Sequence, residues 1–181
     1  LNRVLTDMGS LYEIIFIDDG STDSTLEILK HLQAEIPGIT IIEFNRNYGQ
    51  HAAIFAGFER SSGEIVVTLD ADLQNPPEEI PKLVSKAEEG FEVVATVRTN
   101  RKDSTFRRWA SYVINKITAK ITGVNLKDYG CMLRAYRRNI IQLMCESKEI
   151  STFIPVLATS YAKRTTEIDV KHNPRRGGET K

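Results

Sequence analysis

The chain has 181 residues, 41% of them hydrophobic and 27% charged, with 24 basic side chains balanced by 24 acidic ones. That composition suits one globular domain; it excludes a disordered polar tract, and a net charge of zero removes any global argument for nucleic-acid binding. Two cysteines without metal-ligand spacing argue for a reduced compartment, and no run approaches the roughly 18 apolar residues of a membrane span.

Tyr12 to Ile17 (YEIIFI) is a short apolar run of strand type, DDGSTDS after it is a turn, and TLEILKHLQAE has helical spacing. Gly38 to Phe44 predicts a second strand, Gln50 to Arg60 a helix and Glu64 to Leu69 a third strand. Pro77 to Glu89 predicts a helix, with proline at its start and acids in the first turn, where the helix dipole favours them. Phe91 to Val97 is a fourth strand. Alternation of this kind predicts an α/β fold: a mainly parallel sheet with helices on both faces and ligands beyond the carboxyl ends of its strands. DDGSTD and DADLQ both fall at such ends.

In the second half, Phe106 to Thr122 is a longer amphipathic helix, with Phe106, Trp109, Ala110, Val113, Ile117 and Ile121 on one side and Gly123 closing it. Its mixture of Arg and Lys with aromatic and branched residues suits a helix lying along a membrane surface, and equally a core helix with a solvated basic face. Asp128 to Tyr136 reads as a strand, or a strand plus turn. Asn139 to Cys145 and Thr152 to Tyr161 read as short helices, and Thr165 to Lys171 as a strand. No repeat or linker divides residues 1–181, which are expected to form one domain. The chain starts without methionine and stops in a Gly-rich basic stretch, so it reads as a piece of something longer.

The chemistry concentrates in two acidic turns. If the chain stays extended past Leu69, Asp70, Asp72 and Gln74 project to one side. Three oxygen-bearing groups there suit a hard cation such as Mg²⁺ or Mn²⁺, whose remaining positions phosphate oxygens can fill. A solvated turn with a helix cap explains DADLQ as well. In DDGSTDST, Gly20 turns the chain and Thr22, Asp23 or Ser24 caps the following helix. That account leaves Asp18 and Asp19 to be explained, and two carboxylates at a strand end can accept hydrogen bonds from a base N–H or ribose hydroxyls.

FIDDGSTDSTLEIL followed by VVTLDADLQNPPEEIPKLV resembles the inverting family 2 glycosyltransferases, which have the GT-A (Rossmann-like) nucleotide-sugar fold. Within them the chain is similar to the polyprenyl-phosphate glycosyltransferases, a group that includes dolichyl-phosphate mannose synthases and bactoprenol glucosyltransferases. NRNYGQHAAIFAGF, DYGCMLRAYRR and STFIPVLA are most similar to the undecaprenyl-phosphate 4-deoxy-4-formamido-L-arabinose transferases. The resemblance runs from about Tyr12 to Lys181. It implies transfer of a sugar from a UDP-sugar to undecaprenyl phosphate at the cytoplasmic face of the bacterial inner membrane. The alternatives are glucosyl or mannosyl transfer to the same kind of lipid, or a nucleotide-binding relic without turnover. It also implies a first strand with a Pro-x-Tyr-Asn-Glu segment ahead of Leu1 and transmembrane helices after Lys181.

By resemblance, Asp18 and Asp19 lie near the uridine, Asp70 and Asp72 form the Asp-x-Asp pair, and Gln74 is a further ligand of the Mg²⁺ or Mn²⁺. Arg98 receives the acceptor phosphate, and Arg107 with Ser111, one helical turn apart, makes a second contact to it. Arg175 and Lys181 belong to a basic loop that closes over the diphosphate. The resemblance makes Asp128 a base or a positioner of substrate; a structural pairing with Arg134 or Arg137 is the other reading. His51, His172 and Cys131 read as structural. Nothing in the sequence fixes the oligomeric state.

Overall fold

A computed structural model of the chain describes residues 1–99, 120, 124, 126–147 and 153–173. The elements in chain order are α1 Asn2–Asp7, β1 Ile14–Asp18, α2 Thr25–Glu35, β2 Ile39–Glu43, α3 Gln50–Arg60 and β3 Ile65–Thr68. A 3₁₀ turn at Pro77–Glu79 leads into α4 Ile80–Glu88. Then come β4 Val93–Thr99, β5 Arg134–Arg137, α5 Arg138–Glu146, α6 Ile154–Tyr161 and β6 Thr165–Lys171. The described elements follow the predicted order; α1 is an addition, and the helix expected at 106–122 falls outside the described residues apart from Lys120.

β1 and β2 pair in parallel, Ile14 opposite Ile39 through Asp18 opposite Glu43. The other four strands form a second sheet in the order β3-β5-β4-β6. β4 and β6 are parallel, whereas β5 runs antiparallel to both β3 and β4. β3, β4 and β6 therefore point the same way, and their carboxyl ends share one lip with the residues entering β5. Among the described residues, the second edge of β1 and the second edge of β3 carry no strand.

Period-two alternation distributes the core. Val93 and Tyr136 face a cluster with Phe55 and Phe58 of α3, Ile140, Ile141 and Met144 of α5, and Ile154, Leu157 and Ala158 of α6. Val94 and Ala135, their neighbours in sequence, face Ile80, Leu83 and Ala87 of α4, with Leu5 and Met8 packed alongside. Helices thus cover both faces of the larger sheet. α2 and α3 pack against the β1–β2 pair. No helix among the described residues is long and apolar enough to cross a membrane. Both cysteines are unpaired.

Candidate active site

The DDG turn is held from within and from a distant loop. Asp18 ends β1, is 4% exposed, and accepts the Ser21 N–H (3.3 Å) and hydroxyl on Oδ1. Gly20 has φ +74°, and a Cβ there would lie 2.5 Å from the Arg46 carbonyl carbon, so the turn and the loop after β2 touch backbone to backbone. Asp19 fastens that loop: Oδ1 accepts the Tyr48 N–H (2.7 Å), Oδ2 the Gly49 N–H (2.9 Å), and its carbonyl the Asn47 amide (3.3 Å). Both acids that turn chemistry left unexplained thus have partners in the protein. Ser24 is the N-cap residue of α2, and Asp23 just before it accepts the Thr25 N–H at 3.0 Å.

The next residue of that loop, Gln50, opens α3 and donates Nε2–H to Asp70 Oδ1 at 3.0 Å. Asp19, Gly49, Gln50 and Asp70 therefore form a continuous line of contacts joining the two acidic turns. The chain does not stay extended past Leu69, which corrects the geometry expected for DADLQ. Residues 71–75 turn, Leu73 adopts φ +62°, and Asp72 Oδ1 accepts the Gln74 N–H at 3.0 Å. A side chain that hydrogen-bonds the backbone two residues on favours a turn over a strand. The Gln74 carbonyl accepts the Asn173 N–H at 2.8 Å, which ties the turn to the end of β6.

Burial pushes the Asp70 carboxyl above its ordinary range, and the charge of Asp72 pushes it further, against the pull of the Gln50 hydrogen bond and the Arg98 charge. Neither Asp70 nor Asp72 is ion-paired with a described lysine or arginine, and Oδ2 of each has no hydrogen-bond partner among the described residues. No third His, Cys, Asp or Glu of the described residues joins them as a metal-binding group. Two mutually repelling carboxylates with unengaged outer oxygens fit a hard divalent cation held by few protein atoms.

Arg98, near the end of β4, meets Asp128 as a two-pronged fork: Nε to Oδ2 at 2.7 Å and Nη2 to Oδ1 at 2.9 Å. The side chains are 15% and 7% exposed. Asp128 also accepts the Gly130 N–H (3.1 Å) and the Arg98 N–H (3.4 Å), so four donors surround its carboxylate. A pairing of Asp128 with Arg134 or Arg137 is not what forms. Arg134 reaches only the Asp128 carbonyl, and Arg137 donates both Nε and Nη2 to the Ala87 carbonyl. The cause is register: Arg134 and Arg137 lie in β5 opposite Thr68 and Ile65, while Arg98 stands at the lip where Asp128 emerges.

The His51 ring packs edge-on to Phe153, His172 Nδ1 lies 3.5 Å from Asn75 Oδ1, and buried Cys131 lies 2.9 Å from the Thr96 hydroxyl. Arg107, Ser111, Arg175 and Lys181 fall outside the described residues, as does the predicted helix at 106–122 apart from Lys120. A cavity of about 380 Å³ at the opposite end of the sheet is lined by Gly90, Glu92, Arg137, Asn139, Lys163 and Arg164. There Glu92, the one carboxylate in the lining, already accepts three N–H groups, from Asn139, Lys163 and Arg164.

The family model described as glycosyl transferase family 2 matches residues 1–144. The chain belongs to glycosyl transferase family 2. It is 55% identical to an undecaprenyl-phosphate 4-deoxy-4-formamido-L-arabinose transferase of Shewanella sediminis (strain HAW-EB3), over 100% of this chain and 56% of that protein. It is 58% identical to the protein of the same name from Serratia proteamaculans (strain 568), over 94% and 52%. The chain thus spans about half the length of the curated relatives it matches. Among solved structures it is similar to glucosyl-3-phosphoglycerate synthase from Mycobacterium tuberculosis in complex with Mn²⁺, UDP and glucosyl-3-phosphoglycerate. The TM-score is 0.61 at 20% identity, over 93% of this chain and 62% of that one. That likeness establishes the GT-A fold, in agreement with the α/β architecture read from the sequence.

In this family 2 domain, the sequence pointed to the two acidic turns but not to what joins them. Gln50 and the amides of Tyr48 and Gly49 lie in NRNYGQ, a segment with family resemblance whose one charge, Arg46, stacks over the Tyr48 ring and takes no part in the link. The signal available was a polar Gln at the first position of a helix whose other residues are largely apolar.

Proposed function

We propose that the chain is the catalytic domain of an inverting glycosyltransferase that moves a sugar, 4-deoxy-4-formamido-L-arabinose, from its UDP derivative to undecaprenyl phosphate. The observation carrying this reading is the meeting, at one lip, of the DDG turn, the cation-ready Asp70–Asp72 pair and the Arg98 fork. The names of relatives 55–58% identical to it support the sugar and the lipid. A relic that only bound a nucleotide would need no second cationic group beside the acidic pair.

Asp70, Asp72 and Gln74 would hold Mg²⁺ or Mn²⁺, which when bound neutralises the charge that gathers on the leaving UDP. Asp18 and Asp19 shape the nucleoside end of the site. The acceptor's phosphate has its second pKa at about 6, so its oxygen is already a nucleophile at neutral pH and no general base is required. Asp128 accordingly need not take a proton, and its four N–H donors leave no lone pair disengaged for one. Arg98, with Arg107 and Ser111, receives the phosphate; a guanidinium fork matches its oxygens in pairs. Arg175 and Lys181 close over the diphosphate. These groups screen the repulsion of two anionic reactants and align them for in-line attack on the anomeric carbon, so positioning and electrostatics do the catalytic work. A lipid acceptor implies action at a membrane surface, on the cytoplasmic side where nucleotide sugars are made, with the basic, aromatic 106–122 segment against the lipid.

The test uses the full-length protein, undecaprenyl phosphate, a panel of UDP-sugars and Mn²⁺ or Mg²⁺. Cation-dependent transfer of the formamido sugar is expected. Transfer of glucose or mannose alone would replace the proposed donor, and no transfer of any sugar by folded protein would end the reading. Asp72→Asn and Arg107→Ala should each abolish turnover while circular dichroism stays unchanged; near-normal turnover by either removes that residue from the mechanism.

A further inference from the structure

Arg134 is 0% exposed, and among the described residues no carboxylate pairs with it. Arginine keeps its charge in proteins, so a full positive charge lies under the lip of the sheet. What surrounds it is backbone: Nε donates to the Cys131 carbonyl (2.8 Å), and Nη2 to the carbonyls of Asp128 (3.0 Å) and Tyr129 (3.1 Å). Nη1 has no hydrogen-bond partner among the described residues. A buried ion with one nitrogen unsatisfied is a poor stabiliser; an apolar side chain of like size is often as good or better. Its contacts instead explain a shape. Residues 128–131 belong to no helix or strand, and three of their carbonyls converge on one guanidinium. That wraps the segment around Arg134 and leaves the Asp128 carboxylate, which also accepts the Gly130 N–H, facing the other way, onto Arg98. Gly130 completes the fit: a Cβ there would lie 3.0 Å from Arg98 Nη2.

We propose that Arg134 is a positioning residue that acts through the 128–131 segment: it fixes Asp128, which fixes the Arg98 fork in the orientation that receives the acceptor phosphate. The last link rests on the role given to Arg98 above. Arg134 itself touches no substrate.

The present chain, unmodified and as Arg134→Lys and Arg134→Met, is followed by the ¹⁵N resonance of the Arg98 side-chain Nε–H, assigned by its loss in Arg98→Lys. In the unmodified chain this hydrogen, bonded to Asp128 Oδ2 at 2.7 Å, should exchange slowly with water. In a variant that keeps its circular dichroism, exchange should accelerate about tenfold or more, and affinity for a water-soluble prenyl monophosphate should fall by about tenfold, equivalent to about 1.4 kcal/mol. Affinity for UDP with Mn²⁺ should stay within about twofold, well under that threshold. A merely structural role would weaken both ligands together. Arg134→Lys is also combined with Asp128→Asn: losses through one shared contact do not add, whereas independent ones do. Unchanged Arg98 exchange in a folded variant, or additive losses in the pair, overturns the proposal. If Arg98→Ala binds the prenyl phosphate normally, the acceptor reading fails, and the exchange measurement still decides whether Arg134 positions Arg98.

Discussion

Asp70 occupies a position that costs the metal-free protein stability. Burial and the neighbouring Asp72 both raise its proton affinity, so at neutral pH its ionised form carries a penalty that fades only as the pH falls toward the ordinary carboxylate range. Groups that oppose stability in this way mark function more often than packing. Asp70→Asn should therefore raise the melting temperature of cation-free protein, by about 2–4 °C for each kcal/mol of repulsion removed. It should also abolish the upward shift that Mn²⁺ gives the unmodified chain; a lower melting temperature, or a retained shift, would refute this. That Asp70 and Asp72 stand together at the carboxyl end of an apolar strand was legible in the sequence. The geometry was not: Leu73 takes a left-handed backbone that leucine rarely adopts, and no pattern announces such a residue. Nor could the partner of Asp128 be chosen among arginines, since Arg98 lies thirty positions away and only the sheet brings it near.

At the scale of elements, one small device fixes how β1 enters the fold. Glu13, just before it, accepts the Ser62 N–H (2.7 Å) and hydroxyl (2.8 Å) and the Gly63 N–H (3.2 Å), binding the strand's start to the end of α3. Burial raises its pKa, but the Ser62 and Gly63 donors and the Arg60 charge outweigh this and bring the net value down from 4.5. A lowered carboxylate contributes stability that is complete above the unfolded value and is lost as pH falls through the folded one. The stability difference between the unmodified chain and Glu13→Gln should thus be constant from pH 7 to 5 and shrink below about 4.5. Urea unfolding at stepped pH measures it, and a difference that grows in acid would contradict the assignment. Strand and helix positions were readable because each carries a period of its own. The direction of β5 was not, because alternation is the same read either way, and only pairing with β3 and β4 sets it antiparallel.

At the scale of the molecule, the sheet is interrupted. Among the described residues, β1 with β2 and the four strands from β3 to β6 form separate ladders, edged by β1 and β2 in the one and by β3 and β6 in the other. Where the two ladders part required the pairings. Across this interruption, the described polar line between the acidic turns runs through Asp19, Gly49, Gln50 and Asp70.

That line has a thermodynamic corollary. If a nucleotide settling on the DDG turn stiffens the Tyr48–Gly49 amides, Gln50 passes the constraint to Asp70, and the cation finds a carboxylate already oriented. Reciprocity then requires UDP to tighten Mn²⁺ by the same factor by which Mn²⁺ tightens UDP. Calorimetric titrations in both orders should return one common factor, and Gln50→Ala should bring it close to the value set by direct cation–diphosphate attraction alone. If the factor is untouched in folded Gln50→Ala, the two turns communicate only through the ligands they share.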